Sequence, residues 1–299
     1  MRVLMCVPNI SEGRDVGLVD QVVAAIEAVP GVRLSDRSSN PDHNRSVLTY
    51  LGEPEAVLEA TQAMADRVLE LIDMSRHQGS HPRMGALDVC PFVPIRNVTT
   101  EEAVAIALRF GKYLGGLGVP VYYYEDAATR PERVPLTSIR KGEYEGLPQK
   151  LRDPAWLPDE GPAVFNARAG ATVTGARFPL VAFNVNLRTT DVSVAERIAK
   201  AVRHINGGYR YVRAIGLALS EEGLVQVSMN LTNYLKTPVP RVLETVRSEA
   251  SRYGVIVAGC EFVGPVPLGA LEEPLKHYLQ VHGFSMSQII ENALLDTMG

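Results

Sequence analysis

Cysteine is scarce in this chain. Cys6, Cys90 and Cys260 are the only three among 299 residues, an odd number. Each sits in an apolar, strand-like run, so they are expected to be buried, reduced thiols of a cytoplasmic protein rather than a disulfide framework. Long apolar runs are missing as well. The opening Met1-Arg2-Val3-Leu4-Met5-Cys6-Val7-Pro8 is too short for a signal peptide, and no stretch is long enough to span a membrane. The Asn-x-Ser/Thr matches at Asn9, Asn44, Asn97 and Asn230 are then chance. There is no excess of positive charge: the net charge is −4, which argues against nucleic acid as a partner. It leaves room for small anionic ligands, because a local arginine cluster can act against the overall sign.

What is present is an ordinary globular composition, 46% hydrophobic and 21% charged. At 299 residues it predicts one large or two medium domains. Residues 2–7 read as a strand. Residues 15–29 carry a helical stripe of Val16, Val19, Val22, Val23 and Ile26 that ends at Pro30-Gly31. Residues 32–37 and 45–51 read as strands around a turn-rich segment, 54–73 as a helix opened by Pro54, and 87–95 as a strand. This is the order β-α-β-β-α-β, the split βαβ or ferredoxin-like unit. A helix over 101–115, with Glu101 and Glu102 favouring its start, and a strand over 119–124 extend it. The aromatic run Tyr122, Tyr123 and Tyr124 reads as strand packing.

The second half repeats the order, with strands at 178–187, 211–219, 224–231 and 255–262 and helices at 191–204 and 238–252. Weak echoes accompany it. Asn9 and Asn186 end the first strand of each half, and Val93-Pro94-Ile95 and Val266-Pro267-Leu268 follow corresponding strands. The fold class expected is α/β (α+β): two similar split βαβ subdomains, 1–178 and 179–299, with helix-covered sheets. The Pro- and charge-rich stretch 126–162 would join them.

One segment carries most of the chemistry: Ser75-Arg76-His77-Gln78-Gly79-Ser80-His81-Pro82-Arg83-Met84-Gly85-Ala86-Leu87-Asp88-Val89-Cys90. Histidine exchanges protons near neutral pH, and arginine holds carboxylates with a planar fork. Such residues on a Gly/Pro-punctuated connection read as a proton-transfer centre beside an anion clamp. A zinc reading from His77, His81 and Cys90 has the i,i+4 spacing. Against it stand Gly79 between the histidines, Pro82 after His81, and the lack of any His-Glu-x-x-His. In a split βαβ unit the loops 9–14, 37–45 and 76–85 emerge at one end of the sheet, so this segment has polar neighbours there.

A second candidate is Gly161-Pro162-Ala163-Val164-Phe165-Asn166-Ala167-Arg168-Ala169-Gly170-Ala171-Thr172-Val173-Thr174-Gly175-Ala176-Arg177. Its small residues would let a planar ligand lie close to backbone. It lacks the signatures of a P-loop and of a dinucleotide turn, and its composition equally suits an inter-domain linker.

Three motifs resemble the glutamate formimidoyltransferase (formiminotransferase) family. They are Cys6-Val7-Pro8-Asn9-Ile10-Ser11-Glu12-Gly13, Ile72 through Gly85, and Gly170 through Arg177. The resemblance implies transfer of a formimino group from N-formimino-L-glutamate to N5 of tetrahydrofolate in histidine breakdown. It implies a ligand tunnel between two subdomains, a homodimer, and tetrahydrofolate as co-substrate; the lack of a plausible ligand set around His77 and His81 predicts no metal or tightly bound cofactor. His81 matches the catalytic histidine, and Pro162 to Ala171 match the folate-binding stretch, departing from the animal enzymes around Asn166-Ala167-Arg168. Asn9, Arg45, His77 and Arg83, with Thr172, Thr174 and Gly175, complete the expected substrate-binding set. The animal enzymes carry an appended cyclodeaminase domain, whose activity is not expected here. An enzyme acting on 5-formyltetrahydrofolate and a non-catalytic folate-binding module are the alternatives.

Overall fold

The computed structural model describes residues 1–292, so the last seven residues of the expected second subdomain lie outside it. The chain divides into two compact units, one of Met1–Arg177 and one beginning at Phe178.

The first unit begins with β1 (Val3–Cys6) and β2 (Asn9–Ile10), which lie end to end between β4 (Arg45–Gly52) and β5 (Leu87–Arg96), antiparallel to both. They are one strand interrupted at Val7-Pro8, where proline lacks the N–H a ladder needs. β3 (Val32–Asn40) pairs with β4 on the outside. On the other side of β5 lies β7 (Thr172–Ala176), parallel to β5 and to β6 (Val121–Glu125).

Three helices cover one face. α1 (Val16–Glu27) starts where Asp15 accepts from the Leu18 N–H, and it buries Val19, Val22, Val23 and Ile26. α2 (Pro54–Leu71) buries Val57, Thr61, Met64 and Val68. α3 (Thr100–Gly116) opens with a capping box in which Thr99 and Glu102 exchange bonds, the helix-start role read for the acidic pair. Their apolar stripes meet Leu4, Cys6, Ile10, Leu48, Tyr50 and Phe92 of the sheet. Cys6 and Cys90 are buried there with their sulfurs 3.5 Å apart.

The other face of β5, β7 and β6 is covered too. Val89, Tyr122, Tyr124 and Val173 pack against Ile139 at the end of α4 (Leu136–Arg140), Leu147 of α5 (Leu147–Lys150), and Leu151. The stretch 126–162 is therefore no connector between subdomains. It belongs to the first unit, because strands apolar on both faces must be covered on both. Tyr123 points the other way, into the helix-side core. Within the same layer Arg133 is 1% exposed, pairs with Asp159 at 2.7 Å, and donates to the Leu157 carbonyl at 2.7 Å.

The second unit holds β8 (Val181–Leu187), α6 (Val192–Val202), β9 (Val212–Leu219), β10 (Leu224–Leu231), α7 (Val239–Ser251), β11 (Val257–Val263) and α8 (Glu272–Leu279). Its sheet order, β11-β8-β10-β9, repeats the order β5-β1/β2-β4-β3 of the first unit. Both units are thus of the expected split βαβ type.

Three details depart from the sequence reading. Residues 172–176 form a strand, unread because Thr-Val-Thr-Gly-Ala carries little bulk. Val93-Pro94-Ile95 lies inside β5 rather than after it. Cys260 is exposed, because β11 is an edge strand on which neighbouring Phe262 and Val263 are open as well.

Removing Arg133 would strand the buried Asp159 carboxylate. Arg133→Ala is expected to lower unfolding free energy by about 3–5 kcal/mol in urea titration.

Candidate active site

The three loops do meet. The connection β2–α1 brings Ile10 and Ser11, the β3–β4 hairpin brings His43, Asn44 and Arg45, and the α2–β5 connection brings His77, His81 and Arg83. Together with Asp88 of β5 they line one narrow crevice.

Asn44 binds the loops to one another. It is buried in the left-handed conformation (φ 48°), which asparagine tolerates better than most residues. Its side-chain oxygen accepts from the Gly13 N–H at 3.0 Å, and its amide donates to the Gln78 carbonyl at 3.1 Å. Ser11 donates through its hydroxyl to the Gly85 carbonyl at 2.7 Å and through its N–H to that of Ala86 at 2.9 Å. Gly79 lies so close to the His43 carbonyl that any β-carbon would overlap it.

The two histidines differ in what their ring nitrogens do. His77 donates through Nε2 to the Asn44 carbonyl at 2.9 Å, and its Nδ1 accepts from the Arg83 Nε–H at 3.3 Å. Both nitrogens are committed, and the neighbouring N–H of Arg83 disfavours a second ring proton. Burial, the largest cause, likewise holds its pKa below the ordinary value. His81 is half-buried, and its Nδ1 is shielded from solvent with no partner. Burial, then the charges of Arg45 and Arg140, pull its pKa down to about 4 against the smaller opposing effect of the Pro82 backbone. It is a neutral imidazole with a nitrogen free to take a proton.

The arginines differ in a parallel way. Arg83 is held by Glu145 through two bonds, 2.8 and 2.6 Å, and by Glu143 at 3.4 Å. Arg140 pairs with Asp88, whose other oxygen accepts from the Met84 N–H at 2.8 Å. Arg45 donates through Nε and Nη2 to a neutral acceptor, the Asn9 side-chain oxygen, at 2.8 Å from Nε.

The second candidate stretch divides in two. Pro162, Ala163 and Val164 are exposed, as are Ala167 and Arg168, and Phe165 lies against the Tyr144 ring at 5.4 Å. Asn166 folds the chain back, accepting from the Ala169 and Gly170 N–H groups. Arg168 caps the end of α2 by donating to the Leu69 and Glu70 carbonyls. From Ala169 onward the chain is buried against the histidine loop: Ala171 N–H donates to the Met84 carbonyl and Ala86 N–H to that of Ala169. Thr172 and Thr174 give their hydroxyls to the Leu87 and Cys90 carbonyls. Gly175 lies against the Tyr124 carbonyl, and Gly170, with φ 69°, against that of Met84. The small residues from 169 to 175 thus make room for the protein's own backbone.

Among the described residues no group of three or more His, Cys, Asp or Glu side chains is placed to hold a metal. Cys90, considered as a zinc ligand beside the histidines, faces Cys6 instead. No helix among the described residues is long and apolar enough to cross a membrane. The sequence reading passed over Asp88, Arg140 and Glu145. Asp88 had a signal, a charge amid the apolar run Leu87-Asp88-Val89-Cys90. Arg140 and Glu145 had none.

Comparison with known proteins gives two family matches. The N-terminal subdomain of the formiminotransferase domain matches residues 3–177, and the formiminotransferase domain matches residues 182–296. The chain is 47% identical to a glutamate formimidoyltransferase of Streptococcus pyogenes serotype M1, over 98% of this chain and 99% of that one. It is 43% identical to another from Thermoplasma acidophilum, over 98% of each. It is 46% identical to the formimidoyltransferase-cyclodeaminase of Mus musculus, over 91% of this chain and 52% of that one.

Two outcomes follow from this geometry. NMR titration should find His81 protonating near pH 4. Because its unfolded-state pKa is the higher one, stability should fall as pH drops from about 6.5 to about 4. His81→Asn should flatten that decline, and an unchanged decline would count against it. Gly170→Val should lower the melting temperature and shift the His81 ring signals together, since a side chain there displaces the Met84 carbonyl.

Proposed function

The chain belongs to the formiminotransferase family, and on that premise we propose that it transfers the formimino group of N-formimino-L-glutamate to N5 of tetrahydrofolate, giving 5-formiminotetrahydrofolate and L-glutamate. The reaction would serve histidine breakdown. The observation that carries the assignment to this crevice is the unpartnered ring nitrogen of His81 in a crevice that Arg45 and Arg83 also line.

In this reading N5 attacks the amidinium carbon of the donor. A C–N bond forms, and the tetrahedral intermediate carries an extra proton on N5. His81 takes that proton and then gives it to the glutamate nitrogen, which leaves as the amine. One imidazole thus acts as base and then acid, with no net proton change on the enzyme. His77 holds Arg83 and the hairpin in place rather than exchanging protons, because both its nitrogens are engaged. An arginine of the crevice without a carboxylate partner favours a carboxylate of the donor, and holding both substrates still supplies much of the acceleration. The folate is assigned to the exposed part of the second stretch, Pro162 to Arg168, with Ala169 to Ala171 as its buried backing. Two features support this: the family resemblance, and the apolar surface of Val164, which is 67% exposed. Thr172, Thr174 and Gly175 would act there only by shaping the strand behind it.

Steady-state assay with N-formimino-L-glutamate and tetrahydrofolate tests the proposal. Turnover is expected with this donor in preference to 5-formyltetrahydrofolate. His81→Ala should lose about two to four orders of magnitude in kcat with tetrahydrofolate still bound, whereas His77→Ala should lose less. Activity should survive dialysis against a strong chelator. Near-normal kcat in His81→Ala would remove this histidine from the mechanism.

A further inference from the structure

Arg45 and Arg83 line the crevice and Arg140 pairs with its Asp88, so two of the three guanidinium groups are already neutralised. Glu145 and Glu143 face Arg83, and Asp88 faces Arg140. Arg45 has only the amide oxygen of Asn9, and among the described residues no carboxylate lies within ion-pair distance of it. Burial lowers its pKa from the ordinary value, opposed by the attraction of Asp88 and reinforced by repulsion from Arg140. A half-buried cation whose partner is a neutral amide gains from a carboxylate beside it.

The same cation acts on His81. The groups facing that ring are Arg45 from β4, Arg140 from α4, His43 from the hairpin, whose ring lies 5.6 Å away, and the Pro82 backbone, which alone among them favours the protonated ring. Asp88 from β5 is already shared with Arg140, and His77 and Arg83, from the same connection as His81, are bonded to each other. After burial, Arg45 is the first influence keeping His81 unprotonated. An imidazole held that weakly basic is a poor acceptor for the N5 proton at neutral pH.

We propose that Arg45 is the anchor for one carboxylate of the donor substrate, and that the same contact activates His81 by cancelling the positive charge that opposes its protonation. This deepens the formiminotransferase reading and rests on it. The donor then prepares its own catalyst: the base gains strength only when the amidine is in place. Because Arg83 and Arg140 are already paired, neither can replace Arg45 in this role.

The test is ring-nitrogen NMR titration of the histidine-labelled full chain, with and without saturating L-glutamate, which carries both carboxylates but no formimino group. In the wild type L-glutamate should raise the His81 midpoint by about one pH unit or more. In Arg45→Gln the midpoint should already be raised without ligand, and L-glutamate should move it no further. KM for N-formimino-L-glutamate should rise at least about tenfold, with KM for tetrahydrofolate little changed. Arg45→Lys should recover part of the glutamate-induced shift. Wild-type turnover with a His81 midpoint indifferent to L-glutamate overturns the activation by substrate and leaves the assigned reaction standing. Absence of turnover with both substrates overturns the reaction itself, and this inference with it. The wild-type arm needs no variant to fold.

Discussion

The crevice depends on one buried carboxylate. Asp88 stands in β5, 1% exposed, in a run otherwise apolar. One of its oxygens takes the Met84 N–H and the other takes Arg140. The first bond ties the end of the histidine loop to the sheet. The second brings in the segment that covers the far face of β5, β7 and β6. A carboxylate this deep is tolerated only because both oxygens are satisfied and a cation faces it. With that anchor in place the chain from His81 to Met84 has a fixed exit, and the Met84 carbonyl is free to accept from Ala171. Two candidate motifs 80-odd residues apart in sequence are thereby parts of one assembly.

Around that anchor the polar residues separate into those that hold and those that are available. His77, Asn44, Ser11, Arg83, Glu145, Arg140 and Asp88 each bond a neighbouring loop, strand or charged partner. His81 and Arg45 do not have complete partners. Preorganisation of this kind keeps reactive groups in place without compromising them, because the charges of the holding residues are already paired. The incompletely satisfied atoms are where a ligand would gain most.

The second unit repeats the strand order of the first without its histidine loop. On β8, β10 and β11 it carries a different polar set, in which Asn184 and Gln226 donate to Glu261 and Gln226 also donates to Asn186. Equal topology with unequal side chains illustrates that the chemistry resides in loops and single residues rather than in the fold.

By itself the sequence determined the β-α-β-β-α-β order in both halves, since helical stripes and strand runs repeat with periods of 3.6 and 2. It also determined that 9–14, 37–45 and 76–85 share an end of the sheet, because alternate strand directions require it. The family followed from contiguous motifs. What only the tertiary structure decided concerns pairing. Sequence could not reveal that β7 slips between β5 and β6, since register over Thr172–Ala176 is set by neighbours rather than by its own small side chains. Composition and spacing could not tell His77 from His81 or Arg45 from Arg83, because these pairs are alike as residues; only the family motif singled out His81. They differ only in the partners that folding gives them: Asn44 and Arg83 for one histidine, none at Nδ1 for the other, glutamates for one arginine, an amide for the other.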